Sequence, residues 1–329
     1  MSDAKVRVQV EGRQLTLSNL EKVLYPEVGF TKGEVLDYYT RIAAVLLPHL
    51  AGRPVTLKRY PDGVSGGFFF EKNRPSHTPA WVRTARLPSP GSTMQRETIE
   101  YVLVEDLPTL VWCANLAALE LHVPMWRVDL NAGGTKAAAA HRERREGRGR
   151  EARREDHREA DLMVFDLDPG APATIVECCR VACLLRDELS ADGLRAWAKT
   201  SGQKGLQVYV PLRKTLSTQT SAYAKEVAQR LERGHAKLVV SRMAKALRPG
   251  KVLVDWSQNN AAKTTVAVYS LRAQPTPTVS APLTWEEVES CRRSEQMRFT
   301  SDMVLRRVAR HGDLLAPLLE ERQRLPDPG

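Results

Sequence analysis

The chain has 329 residues, 42% hydrophobic and 27% charged, which suits one large buried core or two smaller ones. No apolar run approaches the roughly 18 residues of a membrane helix, and the start of the chain shows no signal-peptide apolar region, so a cytoplasmic protein is expected. A formal net charge of +10 favours a polyanionic partner, and five cysteines (Cys113, Cys178, Cys179, Cys183, Cys291) without a C-x-x-C pair read as reduced core thiols.

Val6, Val8 and Val10 alternate with Arg7 and Gln9, which predicts a strand and hairpin over 6–17. Leu17 to Pro26 reads as a helical turn or two stopped by the proline. Thr31 and Glu34 have capping-box spacing and open a helix with Val35, Tyr38, Tyr39, Ile42, Val45 and Leu46 on one face. A short strand follows over 53–60. Phe68, Phe69 and Phe70 cannot all face one core on a strand, so at least one is expected beside Lys58, Arg59 and Lys72 at the surface. Aromatics among cations suit base stacking; a strand buried on both faces explains them as well.

Leu110 to His122 reads as an apolar helix. From 133 to 160 the chain turns to Ala, Arg, Glu and Gly, a low-complexity charged insertion. It separates an N-terminal part, 1–132, from a core at 161–322, with a tail at 323–329.

That core begins with Leu162-Met163-Val164-Phe165-Asp166-Leu167-Asp168-Pro169-Gly170, an apolar strand ending in two acids. Two residues apart, the carboxylates project from one face, roughly 7 Å apart along the strand. Either they cap the next helix, or they share a cation such as Mg²⁺ or Mn²⁺. A helix over 174–189 and a strand over 194–200 lead to the turn Ser201-Gly202-Gln203-Lys204-Gly205, which can approach an anion closely, and then to a strand over 206–212. Helices are expected at 217–233 and 235–247. A second apolar strand delivers Asp255, a further one spans 263–271 just before Arg272, and 284–322 reads as helical.

Together these stretches resemble the polymerase domain of the bacterial end-joining ligase D, a branch of the archaeo-eukaryotic primase superfamily. The motifs, in order, lie at 21–26, 67–72, 165–170, 201–205, 254–259 and 269–272, and the likeness runs from about residue 12 to 318. It implies an α+β fold with a primase-like core of mixed and antiparallel sheets flanked by helices, in what looks like a stand-alone member. It also implies template-dependent addition of nucleotides, ribonucleotides preferred, to DNA with short gaps or ends bearing a 5′-phosphate. Asp166, Asp168 and Asp255 would hold two divalent ions, Mn²⁺ or Mg²⁺. Lys58, His122, Ser201, Lys204, Gln258 and Arg272 would bind the NTP or dNTP. Phe69 and Phe70 would stack on the template beside Arg59, Lys22 and Lys32 would grip the 5′-phosphate, and Arg248 would lie near the 3′ end. End-joining or excision-repair proteins would be partners at the nucleoid.

Two features depart from the family pattern. Gln207 stands where a histidine is usual beside the triphosphate, and the charged insertion is long. A haloacid-dehalogenase-type phosphatase also ends an apolar strand in D-x-D, but Thr or Val normally follows there, where this chain has Pro169. A non-catalytic DNA-end-binding module is the other alternative.

Overall fold

The computed structural model describes residues 5–88, 98–128 and 158–326. The opening hairpin is present: β1 (Lys5–Val10) pairs with β2 (Arg13–Ser18) through a turn with positive φ at Glu11 and Gly12, matching the twist of the strands. The helical turns expected next are not formed. Asn19 at φ 55° breaks the chain out of β2, and β3 (Val23–Tyr25) folds back on β4 (Phe30–Thr31), which buries Leu24 and Tyr25 completely.

Helix α1 (Lys32–Leu50) starts at the expected capping box, with the Thr31 amide donating to the Glu34 carboxylate at 2.7 Å and the Glu34 amide to Thr31 Oγ1 at 3.3 Å. Its expected face is inside, except that Val45 is half-buried. Strands β5 (Pro54–Arg59), β6 (Phe69–Glu71), β7 (Thr84–Pro88) and β8 (Thr98–Leu103) follow.

The apolar run 110–122 is not one helix. Helix α2 (Leu107–Asn115) ends before Ala117, which turns at φ 56°, and β9 (Ala118–Val123) takes the rest. Ala118, Leu119, Glu120 and Leu121 are all buried, so β9 lacks the alternation that marks a half-exposed strand.

Strand β10 (Glu159–Pro169) also begins earlier than expected. Ala160, counted in the charged insertion, is buried and bridged to Trp126. The insertion from 133 to 157 lies outside the described residues.

Helix α3 (Ile175–Ala191) carries its own capping box at Thr174 and Glu177 and leads to β11 (Trp197–Thr200), β12 (Leu206–Leu216) and α4 (Ser217–Gly234). No helix spans 235–247. Val239 and Val240 form β13, buried beside β14 (Val252–Asp255), and only Lys245–Leu247 makes a 3₁₀ turn; strand pairing in the core overrides local propensity. The strand expected over 263–271 is cut to β15 (Thr265–Val266), because Tyr269 sits at φ 63° and gives its carbonyl to Tyr38. Strands β16 (Leu271–Ala273), β17 (Pro277–Val279) and β18 (Pro282–Leu283) precede α5 (Trp285–Glu289), α6 (Ser301–His311) and the one-turn α7 (Pro317–Glu320), so 284–322 is helical only in pieces.

The result is α+β, as expected. One sheet runs β13-β14-β10-β12-β11-β18, antiparallel at every pairing but β13–β14; the other runs β15-β9-β5-β8-β7, with β6 on β5. Among the described residues no helix is long and apolar enough to cross a membrane.

Candidate active site

Strand β10 carries the first two acids to a sheet position with neighbours on both sides. Asp166 pairs with Asp255 on β14 and with Gln207 on β12, while Leu167 turns into the core. Asp255 caps the following turn, accepting from the Ser257 amide and from Gln258 Nε2, both at 2.9 Å. Asp166 Oδ1 accepts from Gln207 Nε2 at 3.2 Å. Burial, then the charges of Asp168 and Asp255, push the Asp166 carboxyl from 3.8 up to about 7, against the Gln207 bond and Lys199. Asp168 is raised as well, by burial and by Asp255, against Arg248 and Lys204.

Among the described residues no three His, Cys, Asp or Glu side chains already converge as a metal cage. What fits a cation is the donor set: carboxylate oxygens whose ionised forms repel one another, buried at Asp255, half-buried at Asp166 and open to solvent at Asp168.

Beside the acids opens a cleft of about 340 Å³, lined by Asp166, Asp168, His122, Ser201, Lys204, Gln258 and Arg272, and also by Arg248. The 201–205 turn is closed by Ser201 N to the Gly205 carbonyl at 2.9 Å and by the Gly205 amide to Ser201 Oγ at 3.2 Å. A Cβ at Gly205 would lie 2.1 Å from the Leu167 carbonyl, so only glycine lets this turn lie against the acid-bearing strand. Arg272 clamps the turn, donating to the Ser201 carbonyl at 2.7 Å and to Gln203 Oε1 at 3.1 Å.

Lys58 is not among the cleft-lining residues. Its ammonium lies 3.5 Å from Glu120 and over the rings of Phe68 (4.3 Å), Tyr60 (5.2 Å) and Phe70 (5.5 Å). Glu120 also meets His122 at 2.9 Å and Arg272 at 3.4 Å. Sequence reasoning missed it. Glu120 and His122 stand two apart, a shared strand face that disappears when 110–122 is read as a helix.

Lys199 was missed too. Buried on β11, it donates to Gln207 Oε1 and Ser280 Oγ, both at 2.5 Å, and to the Val266 carbonyl at 3.1 Å. Burial pushes its pKa well below the ordinary lysine value. Gln207 is therefore held from both sides, by Lys199 and Tyr209 at its oxygen and by Asp166 at its nitrogen.

On the flank, all three phenylalanines are exposed: Phe68 by 53%, Phe69 by 44% and Phe70 by 55%, so the strand is not buried on both faces. Arg59 lies 5.0 Å over Phe69 and pairs with Glu71 at 2.9 Å. The β3–β4 hairpin doubles the chain back, with the Lys32 amide on the Lys22 carbonyl at 2.8 Å. Lys22 pairs with Asp62 at 2.9 Å in the open, whereas Lys32 is buried with its ammonium on the Ser18 carbonyl at 2.6 Å. Burial, then the charges of Lys22 and Arg59, lower Lys32 from 10.5 to about 8.

Comparison with known proteins gives one answer. The family described as LigD, primase-polymerase domain, matches residues 31–315. The multifunctional non-homologous end joining protein LigD of Mycolicibacterium smegmatis is 43% identical over 306 residues, covering 93% of this chain and 36% of the relative. Its Mycobacterium tuberculosis counterpart is 41% identical over 307 residues, 93% of this chain and 37% of that protein. The chain thus spans little more than a third of these relatives. Among solved structures, the polymerase domain of M. tuberculosis ligase D in complex with DNA superposes with a TM-score of 0.81 at 41% identity, covering 94% of this chain and 99% of that one. The chain belongs to the LigD primase-polymerase domain family.

Proposed function

We propose that this chain is a template-dependent nucleotidyltransferase that adds nucleotides, ribonucleotides preferentially, at short gaps or broken DNA ends bearing a 5′-phosphate. The observation that carries this reading is one cleft lined by Asp166, Asp168, Ser201, Lys204 and Arg272, with Asp255 paired to Asp166 across the sheet beside it. The phosphatase alternative falls with the family.

Two divalent ions, Mn²⁺ or Mg²⁺, held by the three aspartates would supply charge neutralisation at the triphosphate and activation of the primer 3′-hydroxyl. The remaining work is positioning, which phosphoryl transfer mostly requires. Gln258 and Ser257 fix the Asp255 carboxylate, and Gln207 fixes that of Asp166. Ser201, Lys204 and Arg272 present a hydroxyl and two cations to the phosphates, with Lys58 behind them and His122 at the sugar. Phe69 and Phe70 stack on the template next to Arg59, Lys22 and Lys32 take the 5′-phosphate, and Arg248 stands by the 3′ end. On this reading the protein works at the nucleoid in the cytoplasm, beside end-joining or excision-repair proteins.

The test is a one-nucleotide gap offered with each of the four template bases, with Mn²⁺ and then Mg²⁺, beside p-nitrophenyl phosphate. Metal-dependent, template-matched addition without phosphate release is expected. Binding of the gapped DNA without any addition would leave an end-binding module.

A further inference from the structure

Glu120 sits on β9 at 1% exposure, and five groups converge on its carboxylate. They are His122 Nε2 at 2.9 Å, the Ala273 amide at 3.1 Å, Arg272 Nε at 3.4 Å, Lys58 Nζ at 3.5 Å and the Tyr60 hydroxyl at 3.5 Å. Three of the five are the side chains placed above at the nucleotide. Burial alone would push this carboxyl up, but the His122 bond and the charges of Arg272, His122 and Lys58 outweigh it and hold it at about 2. Glu120 is thus ionised at neutral pH and can only accept hydrogen bonds.

That has a consequence for His122. Burial, together with Arg272 and Lys58, pushes its pKa down despite Glu120, so the ring is neutral at pH 7, and its N–H bond with the charges of Arg272 and Lys58 keeps Glu120 ionised there. With Nε2 against an obligate acceptor, the proton must be on Nε2 and the lone pair on Nδ1. A cleft-lining imidazole in that tautomer accepts a hydrogen bond from a hydroxyl. The same carboxylate draws Arg272 Nε inward, leaving its two terminal nitrogens to grip the 201–205 turn. It also holds Lys58 beneath Phe68 and Phe70, and Phe70 meets the His122 ring edge-on at 5.8 Å.

We propose that Glu120 is a positioning residue that sets the His122 tautomer and anchors Arg272 and Lys58, and so determines how the site discriminates between nucleotide sugars. This rests on the polymerase reading above. A mere structural tie between β9 and β16 would leave sugar choice untouched.

Single-nucleotide extension on gapped DNA tests it, with kcat and KM measured for the matched NTP and dNTP in wild type, Glu120→Gln, His122→Ala and the double variant. The glutamine keeps the volume but can offer an N–H to the imidazole, which frees the other tautomer. The NTP:dNTP ratio of kcat/KM is expected to shift towards dNTP by about tenfold, with KM for the NTP rising more than kcat falls. That shift should vanish once His122→Ala is present, because the two residues act as a unit. An unchanged ratio, or a shift that adds fully to that of His122→Ala, overturns the proposal. Should Glu120→Gln fail to fold, Glu120→Asp withdraws the carboxylate by one methylene and carries the same readout. Wild-type protein that extends with neither nucleotide overturns the polymerase reading as well, so the two failures are told apart.

Discussion

Lys32 is a buried lysine with a weak internal partner, and that makes the proposed 5′-phosphate contact measurable. Its ammonium rests on the Ser18 carbonyl at 2.6 Å, and its pKa in the folded protein is about 8 instead of 10.5. Between those values the folded, DNA-free protein binds fewer protons than the unfolded chain, and Lys32 is charged only below about pH 8. Roughly nine-tenths of the molecules carry that charge at pH 7 and roughly a tenth at pH 9. A terminal phosphate favours the charged form, so binding takes up a proton above pH 8 and weakens as pH rises further. Each charge-assisted contact contributes about 1.5–3 kcal/mol. Against the pair stand roughly 1 kcal/mol for the Ser18 bond given up and up to about 1 kcal/mol for the exposed Lys22–Asp62 pair. The balance is about 2 kcal/mol or somewhat more, a preference of roughly thirtyfold for 5′-phosphate over 5′-hydroxyl. Fluorescence anisotropy of the two gapped duplexes at pH 7 and pH 9 measures it, in wild type and in Lys22→Ala with Lys32→Ala. The preference should shrink severalfold at pH 9, shrink also at high salt, and disappear in the double variant while hydroxyl-ended DNA binds nearly as before. A double variant that lost both duplexes equally, or a preference indifferent to pH, would refute the reasoning.

Further outcomes follow from the buried charges. Asp166 has a carboxyl at about 7 in the folded protein against 3.8 unfolded, so the folded state binds more protons between those values and the metal-free protein loses stability as pH rises from about 4 to 7. Asp166→Asn should therefore raise the metal-free melting temperature by several degrees at pH 8 and hardly at pH 4, while abolishing extension; calorimetry showing no gain at pH 8 would count against the repulsion. Lys199→Met removes the buried amine that donates to the Gln207 amide oxygen, and should lower kcat for extension by about tenfold with little change in DNA affinity; equal kcat would make Lys199 a core residue only.

How far the sequence could be read depended on burial. Where one face is wet, the patterns spoke clearly: β1, β2, α3 and α1 with its capping box were found, and at least one exposed phenylalanine was anticipated because three in a row cannot all face one core. Where both faces are buried the signal failed. Ala118–Val123 looked helical because nothing in it alternates, and with that strand went Glu120, the residue on which three expected nucleotide contacts converge. Lys199 was invisible for a related reason, since a lysine inside a sheet is recognised only through the partners that the fold brings to it. Tyr269 at φ 63° and the paired Val239–Val240 are tertiary effects as well: tyrosine hydroxyls from α1 and a parallel strand partner outweigh local preference.

The most direct measurement is single-nucleotide extension across a one-nucleotide gap with Mn²⁺, comparing wild type with Asp255→Ala at matched DNA occupancy. Asp255 comes from a different strand than Asp166 and Asp168 and meets them only through the sheet. Templated addition by wild type, and none by a folded Asp255→Ala that still binds the gap, is the expected result. Extension that persists in Asp255→Ala would contradict the three-aspartate site.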